Sequence, residues 1–225
     1  MGRLSIVATP IGNLEDITLR ALKTLKTCDV IYAEDTRVIS KLLARYEIRK
    51  PLQRLDAATE MKKAKEIMAR LQAGEHVVLV SDAGTPGISD PGARLVSLIR
   101  ANGGIVEAIP GPSALTTALS VAGIASNTFT FLGFLPHKKG RQTALKKIAA
   151  SDIPVVLYES PHRVLKLLDE LAQIVPARRV TIARELTKIH EEVVAGTPAG
   201  LSARLEKSKT ARGEFVVVIE PSVSR

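Results

Sequence analysis

The sequence predicts an α/β protein of two domains, with a mainly parallel sheet in the first and a mixed sheet in the second. Three observations carry this expectation. Short apolar, β-branched runs alternate with stretches of helical spacing through about residue 121, the pattern of strand–helix–strand units. The runs end in turns dense in Gly, Pro and polar residues, where strand ends of a parallel sheet place binding groups. After Gly123 the texture changes, and later strand-like runs follow one another without helices between them, which suits antiparallel pairs.

The elements follow in order. Residues 4–8 form a short strand, stopped by Thr9-Pro10-Ile11-Gly12-Asn13. Leu19, Leu22 and Leu25 give 18–27 helical spacing. Strand 30–33 leads into a helix over 38–46, and a polar, basic helix spans about 59–73. Strand 76–80 precedes the most informative stretch, residues 81–92, with three glycines, two prolines, two aspartates and two serines. A helix starts near Ala93 and runs through 95–100 to its stop signal, Gly103-Gly104. Strand 105–109 ends in Pro110-Gly111-Pro112-Ser113-Ala114, and helix 114–121 follows. The second half reads as strand 128–134, a basic loop with a helix to about 150, strand 154–158, helix 163–174, and strands 179–183, 191–195 and 214–219. The expected domains are 1–118 and 119–225, joined without a flexible linker and enclosing a cleft.

Composition narrows the classes. At 45% hydrophobic the 225 residues can fill a sizeable core, and with 3% aromatics and no Trp that core is aliphatic. The single cysteine, Cys28, excludes an internal disulfide and a cysteine-cluster metal site. The four histidines lack metal-ligand spacing, so no metal is expected. No apolar run is long enough to span a bilayer and the N-terminus does not read as a signal peptide, so the expected place is the cytoplasm. Net charge is +9; the first 136 residues hold 16 basic and 13 acidic residues, the remaining ones 16 and 10. Such an excess favours polyanions, and it also serves merely to solubilise a surface.

Local chemistry leaves alternatives open. The first turn lacks the spaced glycines of a dinucleotide fingerprint and the lysine of a P-loop, and it also reads as an ordinary strand–helix connection. In Ala33-Glu34-Asp35-Thr36-Arg37 a carboxylate beside an arginine suits substrate orientation or proton transfer, yet Asp35 or Thr36 equally suits a helix N-cap. Tyr158-Glu159-Ser160-Pro161-His162-Arg163 and Arg184-Glu185-Leu186-Thr187-Lys188 close strands with clusters of polar groups. There is no Gly-x-Ser-x-Gly elbow and Cys28 has no base beside it, which disfavours covalent hydrolysis.

Taken in order, these turns, with Arg212-Gly213-Glu214, resemble those of the tetrapyrrole methylase superfamily across essentially the whole chain, and specifically its branch acting on small-subunit ribosomal RNA. The resemblance implies two α/β domains holding S-adenosylmethionine, usually in a homodimer. It implies methylation of the 2′-oxygen of a cytidine, on ribosomal RNA or the assembled 30S subunit. Implied cofactor residues are Pro10, Ala83, Gly84, Thr85, Ile88, Ser113, Ala114, Glu159 and Leu186. Tetrapyrrole-modifying members typically carry an aspartate where Thr85 stands, a departure that favours the RNA branch. The rival readings are a methylase of a macrocycle and a non-catalytic ribosome-binding module.

Glu34, Asp35, Arg37, His162, Arg184, Glu185 and Lys188 are candidates for handling the hydroxyl proton or its charge. Among them, the pairs Asp35–Arg37 and Arg184–Glu185 are taken first as catalytic. Lys138, Lys139, Arg141, His162 and Arg163 are candidate RNA contacts. Members of this branch often continue into a further basic helical segment, and here the sequence ends at Arg225.

Overall fold

The computed structural model describes residues 2–222; Arg225 lies outside them. The chain divides into two compact units, Met1–Ser113 and Ala114–Arg225. A division at 118/119 would cut a helix, Ala114–Val121, that lies against a strand of the second unit and goes with it whole.

In the first unit, strands β1 (Arg3–Val7), β2 (Val30–Ala33), β3 (Leu52–Arg54), β4 (His76–Val80) and β5 (Ile105–Ile109) form one parallel sheet in the order β3-β2-β4-β1-β5. Helices α1 (Leu19–Thr27), α2 (Thr36–Arg45), α3 (Glu60–Gln72) and α4 (Ala93–Ala101) connect the strands. Period-two alternation sends Val78 and Val80 into a cluster with Ala21, Leu25, Leu42 and Leu43, and Val77 and Leu79 into one with Ile67, Leu71, Leu95 and Ile99. The sheet is therefore covered on both faces, α1 and α2 on one side and α3 and α4 on the other. That explains why its central strand, β4, is an uninterrupted buried run.

Register positions the site. Val7 pairs with Val80 on one side and with Ile109 on the other. The carboxyl ends of β1, β4 and β5 are thus level, and the turns at 8–13, 81–92 and 110–113 leave the sheet side by side. Between the neighbours β4 and β1 the connections leave toward opposite edges of the sheet, the switch point that is the usual ligand position of such sheets.

The second unit opens with α5 (Ala114–Val121) and holds β6 (Thr130–Phe134), α6 (Arg141–Ala150), β7 (Val155–Glu159), α7 (Val164–Ile174), β8 (Val180–Arg184), β9 (Glu192–Gly196), α8 (Pro198–Ser208) and β10 (Phe215–Ile219). The sheet order is β6-β7-β10-β8-β9, with β6 and β7 parallel and the other pairs antiparallel. Leu145, Ile148, Leu167, Leu171, Leu201 and Leu205 from α6, α7 and α8 pack on Leu157, Ile182 and Val217. On β10 the alternate residues Val216 and Val218 are buried too, so both faces of that strand are covered.

Two sequence expectations need correction. No strand was expected at β3, which has only three residues after Pro51. Strand-to-strand succession was expected between β9 and β10, where α8 intervenes. Its start signals are sound: Thr197 Oγ1 accepts from the Gly200 N–H at 3.3 Å and Pro198 takes the first turn. Leu201 and Leu205, one turn apart, are its buried aliphatic pair, too short an apolar stripe to read as a helix.

Candidate active site

Three turns of the first unit are tied into one structure. Thr9 and Gly84 exchange backbone hydrogen bonds at 2.9 and 3.0 Å, stitching the first turn to the second. The buried Thr9 hydroxyl donates to the Ser81 carbonyl at 3.2 Å, and the Thr85 hydroxyl to the Pro112 carbonyl at 3.3 Å. Gly84 sits at φ +77°, and a Cβ there would come 3.4 Å from Ile11 and 3.6 Å from the Pro112 carbonyl. Any side chain would therefore be strained and would stand between three turns. The far end of 81–92 is pinned by Glu60, whose buried carboxylate accepts from the Gly92 and Leu95 N–H groups at 3.1 and 2.9 Å and caps α4.

Among the expected cofactor residues here, Pro10 and Gly84 are buried, Thr85 and Ser113 half-buried, and Ala83 exposed. Ile88 is 60% exposed, an aliphatic side chain held out in solvent at the middle of the turn.

Beside these turns lies a cleft of about 490 Å³ lined by Glu34, Asp35, Thr36, Arg37, Arg54 and Asp82. Asp35 is the N-cap of α2, its Oδ1 accepting from the Arg37 N–H at 2.9 Å. It also takes a fork from Arg37, Nε to Oδ1 at 3.0 Å and Nη2 to Oδ2 at 2.5 Å. That guanidinium holds the Asp35 carboxyl at about 2. The capping and pairing readings of the sequence are both true of this residue, and so firmly ionised a carboxylate is a poor proton acceptor at neutral pH. Asp82 accepts from the Asp35 N–H at 2.9 Å, and Arg54 pairs with Asp56 at 3.0 Å. Arg54 escaped sequence reasoning because the strand that carries it did, three residues with one aliphatic side chain among them.

In the second unit Glu159 is buried at the end of β7. Its Oε1 accepts from the Ser160 N–H at 2.8 Å and pairs with Arg163 Nε at 3.3 Å. Its Oε2 is buried without a hydrogen-bond partner among the described residues. Leu186 is buried between Glu185 at φ +51° and Thr187 at φ +67°. Two non-glycine residues in the left-handed region, one β-branched, mark a strained turn.

The pairing expected of Arg184 and Glu185 is corrected. Arg184 Nε pairs with Glu192 at 3.3 Å. Glu185 Oε1 accepts from Lys188 Nζ at 2.9 Å and from the Glu214 N–H at 3.0 Å. Burial pushes the Glu185 carboxyl up, but these donors outweigh it and hold it below the usual range. A Cβ on Gly213 would lie 2.4 Å from Glu185 Cδ, so the carboxylate is clamped in place.

Two expected RNA contacts are corrected as well. Arg141 is buried, with its fork on Glu170 (Nη2 to Oε2, 2.6 Å) and Nη1 on the Pro136 carbonyl. Arg163 is engaged by Glu159, the Leu135 carbonyl and His137. Both hold the loop at 135–140 in place and leave no free guanidinium for phosphate. Lys138, Lys139 and His162 are exposed. Burial pushes the Cys28 thiol up to about 11, an unreactive state at neutral pH.

Comparison with known proteins bears on this fold and on the family of the chain. The sequence profile of the tetrapyrrole (corrin/porphyrin) methylases matches residues 3–201, and the chain belongs to that family. It is 47% identical over 219 residues to the ribosomal RNA small subunit methyltransferase I of Thermotoga maritima, covering 97% of this chain and 98% of that one. To the protein of the same name from Escherichia coli O157:H7 it is 46% identical, covering 97% and 78%. Among solved structures, diphthine synthase superposes with a TM-score of 0.76 at 18% identity, covering 100% of this chain and 92% of the other. The uroporphyrin-III C-methyl transferase from Thermus thermophilus complexed with S-adenyl homocysteine does so at 0.66 and 18%, covering 96% and 97%. At those identities the likeness is one of fold. The chain is a methylase by family.

Proposed function

We propose that this protein transfers a methyl group from S-adenosylmethionine to the 2′-hydroxyl of a cytidine in small-subunit ribosomal RNA. The observation that carries the reading is the stitched turn at Gly84, within a chain nearly half identical to proteins named for that RNA. S-adenosylmethionine supplies an already activated sulfonium methyl, so the protein's task is chiefly alignment.

The residues fit such a group. Gly84 leaves open backbone where a side chain would intrude, and the level strand ends bring Pro10, Ala83, Thr85, Ile88 and Ser113 to the same end of the sheet. Glu159, Ala114 and Leu186 are the expected cofactor residues that belong to the second unit, and the buried Glu159 Oε2 lacks a hydrogen-bond partner among the described residues. Thr85 gives its hydroxyl to Pro112 and offers no carboxylate, which favours RNA over a macrocycle.

The exposed Lys138, Lys139 and His162 are proposed to hold phosphates flanking a splayed-out nucleotide. Among the described residues no helix is long and apolar enough to cross a membrane. A ribosomal substrate implies work in the cytoplasm. A homodimer is part of the reading, and sedimentation at micromolar concentration tests it.

Tritium transfer from labelled S-adenosylmethionine into 30S subunits or their RNA tests the function. Label in RNA is expected. Label only in an added corrin or porphyrin precursor would establish the macrocycle reading instead. Absence of cofactor binding by calorimetry would leave the non-catalytic module.

A further inference from the structure

The geometry of the 490 Å³ cleft points to a residue the two expected pairs do not include: we propose that Glu34 accepts the proton of the hydroxyl being methylated, and that the cleft receives the acceptor nucleotide's ribose. This rests on the function proposed above.

Of the carboxylates in and beside this cleft, all those on its lining but one already hold a donor. Asp35 is forked by Arg37 and caps α2. Asp82 is bonded by the Asp35 N–H, and Asp56, just behind the lining, is paired with Arg54 and bonded by Thr59. Glu34 alone lines the space without a hydrogen bond or ion pair among the described residues. It is half-buried at the carboxyl end of β2, beside the stitched turns. Asp82 and Asp90 face it from 81–92, Arg54 from the end of β3 and Asp56 from just after it, and Asp35 and Arg37 are its near neighbours in sequence.

Burial first, then Asp82, Asp90 and Asp56, push the Glu34 carboxyl up, toward the range where a carboxylate is a better base. The cleft volume lies within the range of small-ligand sites. Arg37 and Arg54 are 88% and 71% exposed at the side chain, giving this otherwise acidic space a cationic rim for the nucleotide's phosphates.

In the step itself the 2′-oxygen forms a bond to the methyl carbon as the carbon–sulfur bond breaks. The bonding pair stays on sulfur, leaving a neutral thioether. The hydroxyl proton passes to a Glu34 carboxylate oxygen and leaves to solvent after product release.

Two measurements decide this. The first compares wild type, E34Q and E34D in single-turnover methylation of 30S RNA, with cofactor and RNA affinities read by calorimetry and filter binding. E34Q should be at least about 100-fold slower with both affinities within about threefold of wild type. The wild-type rate should fall on acidification, and E34D should keep that acid limb at a reduced rate while E34Q loses it. A rate for E34Q within threefold of wild type overturns the proposal. So does a loss of cofactor or RNA affinity that accounts for the slower rate, because Glu34 would then be a binding residue.

The second measurement needs no turnover. In carboxyl-carbon NMR of the cofactor-free protein, the resonance absent from E34Q should titrate above ordinary glutamates and shift on addition of a cytidine-containing oligoribonucleotide. An ordinary titration without response to RNA overturns the proposal. If wild type methylates no RNA, the functional reading fails, and this resonance still decides whether the cleft holds the nucleotide.

Discussion

Glu34 and Gly84 have opposite relations to stability. Glu34 is a carboxylate pushed up by burial and by three aspartates, so its charged form opposes folding. A raised acid contributes stability below the ordinary glutamate range, and that contribution is lost as pH climbs through the raised value. E34Q should therefore melt higher than wild type at pH 7 and equally at pH 3, in paired thermal scans. A gain at neutral pH alongside slower methylation is the trade expected of a site residue.

Gly84 behaves in reverse. G84V places a β-branched side chain at φ +77°, costing roughly 1–3 kcal/mol. It should abolish cofactor binding by calorimetry while RNA affinity stays within a few-fold. Equal loss of both would contradict the assignment of this turn. Arg141 shows the third relation: R141A leaves Glu170 without its fork, and a loss of about 3–5 kcal/mol is expected in urea unfolding of the second unit.

At the scale of elements, residues were most legible where periodicity and punctuation agreed. β4, β5 and α5 have the bounds the sequence implies, because each is an apolar or amphipathic run with a Gly or Pro turn beside it, and β2 has them because the charged Glu34-Asp35 ends its apolar run. β3 and α8 were not legible: one has three residues, and the other rests on two leucines and a cap. T197A should remove that cap and cost about 1 kcal/mol.

Turn identity was legible, but turn wiring was not. Nothing in Arg184-Glu185-Leu186-Thr187-Lys188 says that Arg184 turns to Glu192 while Glu185 is clamped over Gly213, since those partners come from β9 and the segment just before β10. Arg141 was misplaced for the same reason. Its basic neighbours suggested a surface, and its partner Glu170 lies on α7. The strained Glu185-Leu186-Thr187 turn suggests a test. T187G should relieve a left-handed β-branched residue and raise stability by about 1 kcal/mol, visible in the urea midpoint.

Across the whole molecule, two sheets of five strands carry two kinds of work. The parallel sheet levels three turns at its switch point, which alternation and Gly-rich turns made legible. Of the residues lining the acidic cleft, the sequence singled out Glu34, Asp35 and Arg37 but neither Arg54 nor a role for Asp82, and it did not rank them. Choosing among Glu34, Asp35 and Asp82 requires knowing which carboxylate already holds a donor. The basic excess of the second half agrees with a polyanionic substrate without choosing the side chains that meet it.

The most direct test of the account is nucleoside mass spectrometry of small-subunit RNA incubated with this protein and methyl-labelled S-adenosylmethionine. The account predicts one labelled nucleoside, a cytidine carrying the methyl on its ribose 2′-oxygen. A methyl on a base, or unlabelled RNA under conditions where calorimetry shows the cofactor bound, would contradict it.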